Sequence, residues 1–255
     1  MRALLATFRS AVAEAAANRG ALLSQMAVMA LNDLVWVLFW VLFFERVGEV
    51  RGWETDTILL LQAVLTTGGG IALGVLGNAR RIGSMALVGE LDAVLTLPVP
   101  PLAHVLASRV VPVNLGDTAF GVALFLVAGD PTPRRALVFA ATSLLAGALL
   151  VAFLVLAGSS AFWMGRGEGG DMGFHGMLMT AAYPVDAFAG VAKGVLYTVV
   201  PAAFVASVPA RLVEDPDPAL GLTMVAVTAL FAALAWLAFT AGLRRYASGS
   251  VWTRA

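Results

Sequence analysis

ALLSQMAVMALNDLVWVLFWVLFF, Ala21–Phe44, is an apolar run of 24 residues with one charged member, Asp33. A hydrocarbon core needs about 20 such residues wound as a helix, because backbone without water must satisfy its own N–H and C=O groups. Five further runs follow at approximately Thr57–Gly77, Leu102–Ala128, Ala136–Met164, Ala192–Val213 and Ala219–Leu243. The chain of 255 residues is 60% apolar and only 13% charged, whereas soluble domains carry roughly 25% charge. The expected fold is all-α: a polytopic membrane helical bundle with six transmembrane helices. Residues 1–255 read as a single membrane domain without an obvious internal repeat.

The ends of the runs carry further expectations. Residues 1–20 lack the continuous apolar core of a signal peptide. With Leu4, Phe8 and Val12 on one side they read as an N-terminal amphipathic helix lying on the bilayer, although a short soluble helix fits them equally well. In the fifth run, apolar residues already begin at Met172, and Pro184, Gly190, Gly194 and Pro201 interrupt them. A lateral or re-entrant helix over Met172–Phe188 followed by a spanning helix fits best; a longer broken span is the alternative. Lys193, near the start of that span, is expected to snorkel to the inner headgroups.

Basic residues orient the bundle. Arg2, Arg9, Arg19, Arg80, Arg81, Arg166, Arg244, Arg245 and Arg254 collect on one side. Arg46, Arg51, Arg134, Arg135 and Arg211 share the other with Glu45, Glu49, Glu54, Asp56, Asp130, Glu214, Asp215 and Asp217. Both termini are therefore expected in the cytoplasm, with Arg134 and Arg135 against the rule.

Several classes of function are excluded or disfavoured. Net charge is zero, which leaves no general attraction to nucleic acid. The absence of cysteine removes disulfides, thiolate metal sites and a thiol nucleophile. His104 and His175 are the only histidines and form no His-Glu-x-x-His zinc motif. Ser159 and Ser160 have no base nearby in sequence, and neither Asp33 nor Asp117 sits in an intramembrane aspartyl-protease motif. No enzyme activity is expected of this chain.

Charged and polar groups inside the spans need partners. An Asp at mid-helix costs about 2.5–3.5 kcal/mol on insertion scales, which applies to Asp33 and Asp117. Asn114 lies one turn before Asp117, and Arg109 lies eight residues before it, about 12 Å along a helix. Asn32, Asp33, Arg109, Asn114 and Asp117 therefore line a polar translocation path or form an interhelical network, in which Arg109 pairs with Asp33 or with a neighbouring subunit's carboxylate. A proton relay is a third reading. Thr66, Gly70, Gly74 and Gly77 make a small-residue strip for close helix packing, with a flexible gate at Gly68–Gly70 as the sharper alternative. Pro112 is expected to kink the third span.

Between the second and third runs lies RRIGSMALVGELDAVLTLPVPP, Arg80–Pro101, the cytoplasmic coupling segment. Leu87, Val88, Leu91, Val94 and Leu95 fall at i, i+1, i+4, i+7 and i+8, one stripe of a helix, with Glu90 and Asp92 opposite. Pro98, Pro100 and Pro101 end it. The pattern predicts a short helix flat on the inner leaflet, offering Glu90 and Asp92 to a soluble protein; an ordinary interfacial loop helix has the same pattern.

The stretch GELDAVLTLPVPPL, Gly89–Leu102, resembles the inner loop of ABC-2 type transporter permeases, in the six-span branch with a Gly-Glu-Leu-Asp run. YPVDAFAGVAKGVLYTVVPAAFVASVPARLV, Tyr183–Val213, is similar to that branch's fifth-span region, through Tyr183-Pro184, Pro201 and Pro209-Ala210. The resemblance implies the transmembrane half of an ABC exporter for hydrophobic or amphipathic cargo in a bacterial inner membrane. It implies pairing with two ABC ATPase subunits and with a second permease copy or a sister permease. Gly89, Glu90, Leu91 and Asp92 would couple to the ATPases. ATP and Mg would sit on those partners, with no cofactor on this chain. The sequence has no Gly-x-x-x-x-Gly-Lys-Ser/Thr loop, and Thr67-Gly68-Gly69-Gly70 lacks the lysine that would meet phosphate. An ion-coupled carrier or channel using Asp33 and Asp117 is the alternative, and a non-transporting scaffold a third class.

Overall fold

The structure, a computed structural model, describes residues 2–246 apart from Ala16 and Asn18. The side chains of Arg2 and Leu4 and all of Arg254 lie outside what is described. The described residues form helices without named strands, in the order α1 (Arg2–Ala15), α2 (Arg19–Val47), α3 (Thr55–Val75), α4 (Ile82–Val88), α5 (Glu90–Leu95), α6 (Pro101–Ala107), α7 (Leu115–Ala128), α8 (Pro133–Ser159), α9 (Ala161–Met164), α10 (Gly169–Ala181), α11 (Gly190–Thr198), α12 (Val208–Glu214) and α13 (Pro218–Leu243). The expected all-α polytopic bundle is therefore present. Helices α2, α3, α8 with α9, and α13 are each long and apolar enough to cross a membrane.

Helix α3 is the axis of the bundle, with 78% of its apolar window buried, against 17% for α2 and 28% for α13. Small residues explain why it accepts neighbours on several sides. On one face Gly70 meets the Asn114 carbonyl and Thr118, Gly74 meets Leu115, and Gly121 of α7 meets the Ala63 carbonyl and the Thr66 and Thr67 hydroxyls. Positions rise along α7 as they fall along α3, so the two are antiparallel. On another face Gly68 lies against the Ser143 carbonyl and Gly147 of α8. The Thr66, Gly70, Gly74 and Gly77 strip is thus a packing surface, as backbone-to-backbone approach in lipid requires.

This contact yields a sharp contrast. Gly121→Val would force branched carbon into the Ala63 carbonyl and two threonine hydroxyls, none of which can retreat along a packed helix. A loss of about 1–3 kcal/mol or more is expected from overpacking, read as a lowered detergent melting temperature. Gly69→Ala, whose new methyl would meet open space, should leave melting unchanged or slightly raised.

The third span is broken more sharply than a proline kink. α6 and the Pro112–Ala128 segment meet at 70°. The break also completes α3: Val111 N–H donates to the Gly74 carbonyl (2.8 Å) and Gly77 N–H to the Arg109 carbonyl (3.2 Å). Groups left over at a helix end are thereby satisfied by the linker. α1 packs against α6 at this end of the bundle, with Phe8 half-buried and Val12 exposed.

The fifth crossing differs from expectation. Asp171, just inside α10, pairs with Arg80 beyond the far end of α3, while Trp53, just before α3, donates to Asp186. Residues 171–186 therefore traverse the bundle. By contrast, Asp186 before α11 and Arg211 and Glu214 in α12 all meet residues at the Trp53 end: Arg211 binds Asp186, and Glu214 accepts from Thr57. α11 and the segment Ala203–Glu214, which bend by 67°, thus enter and leave at one end as a re-entrant hairpin. Expectation had these roles reversed. At 13 residues with four glycines, α10 is too short and too weakly apolar to announce a span. It works because Tyr183-Pro184 extend it and Gln62 Nε2 donates to the Ala182 carbonyl where the helix ends.

Candidate functional site

Between α2, α3, α7 and α10 lies a cavity of about 280 Å3 at mid-bundle. Asn32, Asp33 and Trp36 of α2 face Gln62, Thr66, Gly69 and Gly70 of α3 across it, with Asn114, Asp117, Phe174 and Met179 completing the wall. Gly69 of α3 carries no side chain into it, and this leaves the room. Asp33 and Asp117 line this space together. Asp33 Oδ2 and Asp117 Oδ1 are buried without a hydrogen-bond partner among the described residues. Such oxygens at bilayer depth favour a hydrogen-bond donor or a positive charge beside them.

Four of the five residues expected along the third and first spans therefore meet in one space. Arg109 does not join them. It is exposed at the α6–α7 break and makes no ion pair with Asp33. The 70° turn carries the chain off the helix axis, so spacing along a straight helix misplaces it. Arg109 lines instead a second cavity of about 410 Å3, with Arg80, Arg81, Ser84, Asn114 and Asp171. Arg80, read in the sequence for orientation and as the start of the coupling segment, lines both spaces. Its Nε and Nη2 hold Asp171 Oδ1 at 3.0 and 2.8 Å, and its guanidinium lies 4.0 Å from the Phe174 ring centre.

The segment Arg80–Pro101, expected to couple to a partner, is not one helix. Gly89 is in the left-handed region (φ +81°), which glycine enters without strain, and it separates α4 from α5. The expected stripe is split accordingly. Leu91 and Val94 are buried, whereas Val88 is 63% and Leu95 44% exposed. Glu90 pairs with Arg81 at 3.1 Å. Asp92 accepts from the Tyr246 hydroxyl at 2.7 Å. Glu90 and Asp92, expected to be offered to a soluble protein, also fasten α5 to the Gly77–Arg81 turn that follows α3 and to Tyr246 beyond the end of α13.

At the Trp53 end, Asp186 collects four partners. Its carboxylate accepts from Lys193 Nζ (2.6 Å), Arg211 Nη2 (2.5 Å) and Trp53 Nε1 (3.0 Å), and its carbonyl accepts from Arg51 (2.6 Å). Lys193 therefore sits at this end and does not reach the headgroups on the Arg80 side. Burial alone would raise the Asp186 carboxyl; its bonds to Lys193 and Trp53 and the Arg211 charge outweigh that and hold it below the ordinary carboxylate range. The hub joins the α2–α3 loop, the crossing and both arms of the hairpin. Its sequence signal was a lone Asp-to-Lys spacing of seven, too weak to read without the fold.

A family model described as ABC-2 family transporter protein matches residues 30–250. No curated protein and no solved structure matches the chain.

Proposed function

This chain belongs to the ABC-2 transporter family and is its membrane-embedded transport subunit, and from that premise we propose that it is the permease of an exporter powered by separate ATP-hydrolysing subunits. A second permease, identical or a sister, completes the translocator. The observation that carries this reading is the double fastening of α5. Through Arg81–Glu90 it is tied to the Gly77–Arg81 turn that follows α3, and through Tyr246–Asp92 to the end of α13. A push on α4–α5 would therefore move two crossing helices together. One of them, α3, forms a wall of the mid-bundle cavity. The cargo is an amphipathic compound whose polar end donates hydrogen bonds to Asp33 and Asp117, while Met29, Trp36 and Leu178 hold its apolar part. Glu90 and Asp92 position the lever, and Val88 and Leu95 offer its contact face.

In this reading the Arg80 end faces the cytoplasm. The chain has no cysteine, so single thiols report orientation without background. Val88→Cys should react with an impermeant maleimide only after cells are opened, and Glu49→Cys already in intact cells. The reverse pattern would place the lever outside and end the proposal. The unpartnered Asp33 and Asp117 oxygens favour one second reading, an ion-coupled carrier. That reading requires transport by the purified chain under a proton gradient without ATPase.

A further inference from the structure

We propose that the cavity lined by Arg80, Arg81 and Arg109 is a binding site for a phosphate group. Three guanidinium groups surround this space of about 410 Å3, with Asp171 the one acidic side chain in its wall. Arg80 is engaged by Asp171, and Arg81 by Glu90 and Asn78. The Arg109 side chain has no hydrogen bond or ion pair among the described residues, so its five donors are open. Guanidinium forks match the oxygens of phosphate in pairs, and several forks on one group exceed what one carboxylate accepts.

The site is built by the backbone, which separates it from scattered surface charge. Arg109 sits in the α6–α7 break, where its carbonyl accepts from Gly77 N–H and Val111 N–H reaches the Gly74 carbonyl. A side chain at Gly77 would strike Val111, so the close approach that holds Arg109 over the cavity depends on glycine there. Ser84, whose hydroxyl caps the Arg81 carbonyl (2.8 Å), and Asn114 add polar wall. Asn114, Arg80 and Leu73 are shared with the mid-bundle cavity. A phosphate bound here would therefore lie beside the path, in contact with Arg81, the residue that holds Glu90 of the lever. The site stands independently of the direction of transport and of the ATPase partner.

The ligand chemistry has two sources, a lipid headgroup or free phosphate, and binding by the purified full chain separates them. The probes are dioctanoyl phosphatidic acid, dioctanoylglycerol as its phosphate-free counterpart, and inorganic phosphate as competitor. Arg109→Gln should weaken phosphatidic acid binding at least about tenfold, and Arg109→Lys less, since it keeps charge and loses the fork. Arg134→Gln, at the other end of the bundle, should leave it unchanged. Arg109 is exposed and makes no side-chain bonds, so its variants should stay folded, checked by an unchanged gel-filtration profile. Competition by inorganic phosphate would show that phosphate alone suffices; Arg109-dependent binding without competition would identify a lipid headgroup. Equal binding of Arg109→Gln and wild type, equal weakening by Arg134→Gln, or equal binding of dioctanoylglycerol would overturn the proposal.

Discussion

Val88→Glu combined with Leu95→Glu is expected to abolish ATP-driven transport while the protein inserts and melts normally. Both side chains are exposed, 63% and 44%, so in the free chain the new carboxylates meet water and the fold changes by no more than about 0.5 kcal/mol. In a complex with an ATPase, each would be an unpaired charge in a buried apolar contact, with a cost of about 2–5 kcal/mol apiece. Even the lower figure corresponds to roughly 30-fold weaker association. The measurement is copurification with a coexpressed ABC ATPase, and the stimulation of its ATP hydrolysis. Tyr246→Phe should behave differently: binding is kept, but the fastening of Asp92 to α13 goes, so hydrolysis and transport lose proportion. Full transport by the double glutamate variant would show that α4–α5 is not the contact face.

The second large effect is expected at the opposite end. Asp186→Ala removes the acceptor of Lys193, Arg211 and Trp53 at once and leaves Lys193 and Arg211 close together. The Asp186 side chain is 17% exposed and its cationic partners 40–44%. The loss should therefore fall between the ~1 kcal/mol of an exposed pair and the ~3–5 kcal/mol of breaking a buried one. It should appear as proteolysis at Arg51, Lys193 and Arg211 before the bundle melts, because the hairpin is released first. The pH dependence has a definite sign. The folded carboxyl titrates below its unfolded value of 3.8, so its contribution is fully present above about pH 4 to 5 and is lost as pH falls through the depressed value. Wild-type hairpin protection should hold at neutral pH and fail only in strong acid, while Asp186→Ala should be open throughout. Equal protection of wild type and variant at pH 7 would remove Asp186 from this role.

These outcomes probe features of different legibility. The apolar runs, the glycine strip on α3 and a bend at Pro112 were readable, because each depends on residue type at short range, although the bend is a 70° break and not a kink. Asp33 and Asp117 were readable as polar groups needing partners, since a carboxylate in hydrocarbon is costly wherever it points. Their convergence with Asn32 and Asn114 depended on α2 and α7 packing against the same face of α3, which spacing along one helix does not encode. The coupling segment was legible as amphipathic, but its i, i+4 stripe hid the role of Gly89: periodicity counts side chains and is blind to a left-handed turn.

What the amino-acid order determined by itself is the class of molecule: membrane-length apolar helices, too few charges for a water-soluble globule, and small residues where backbones must touch. Only the tertiary structure decided which segment crosses and which turns back. Residues 171–186 traverse because Asp171 and Asp186 find cations and donors at opposite ends of α3, whereas α11 and α12 return because Lys193 and Arg211 bind the same carboxylate. Hydropathy measures the cost of leaving water and favours the α11–α12 segment as the span. The direction each takes is chosen by partners far away in the chain.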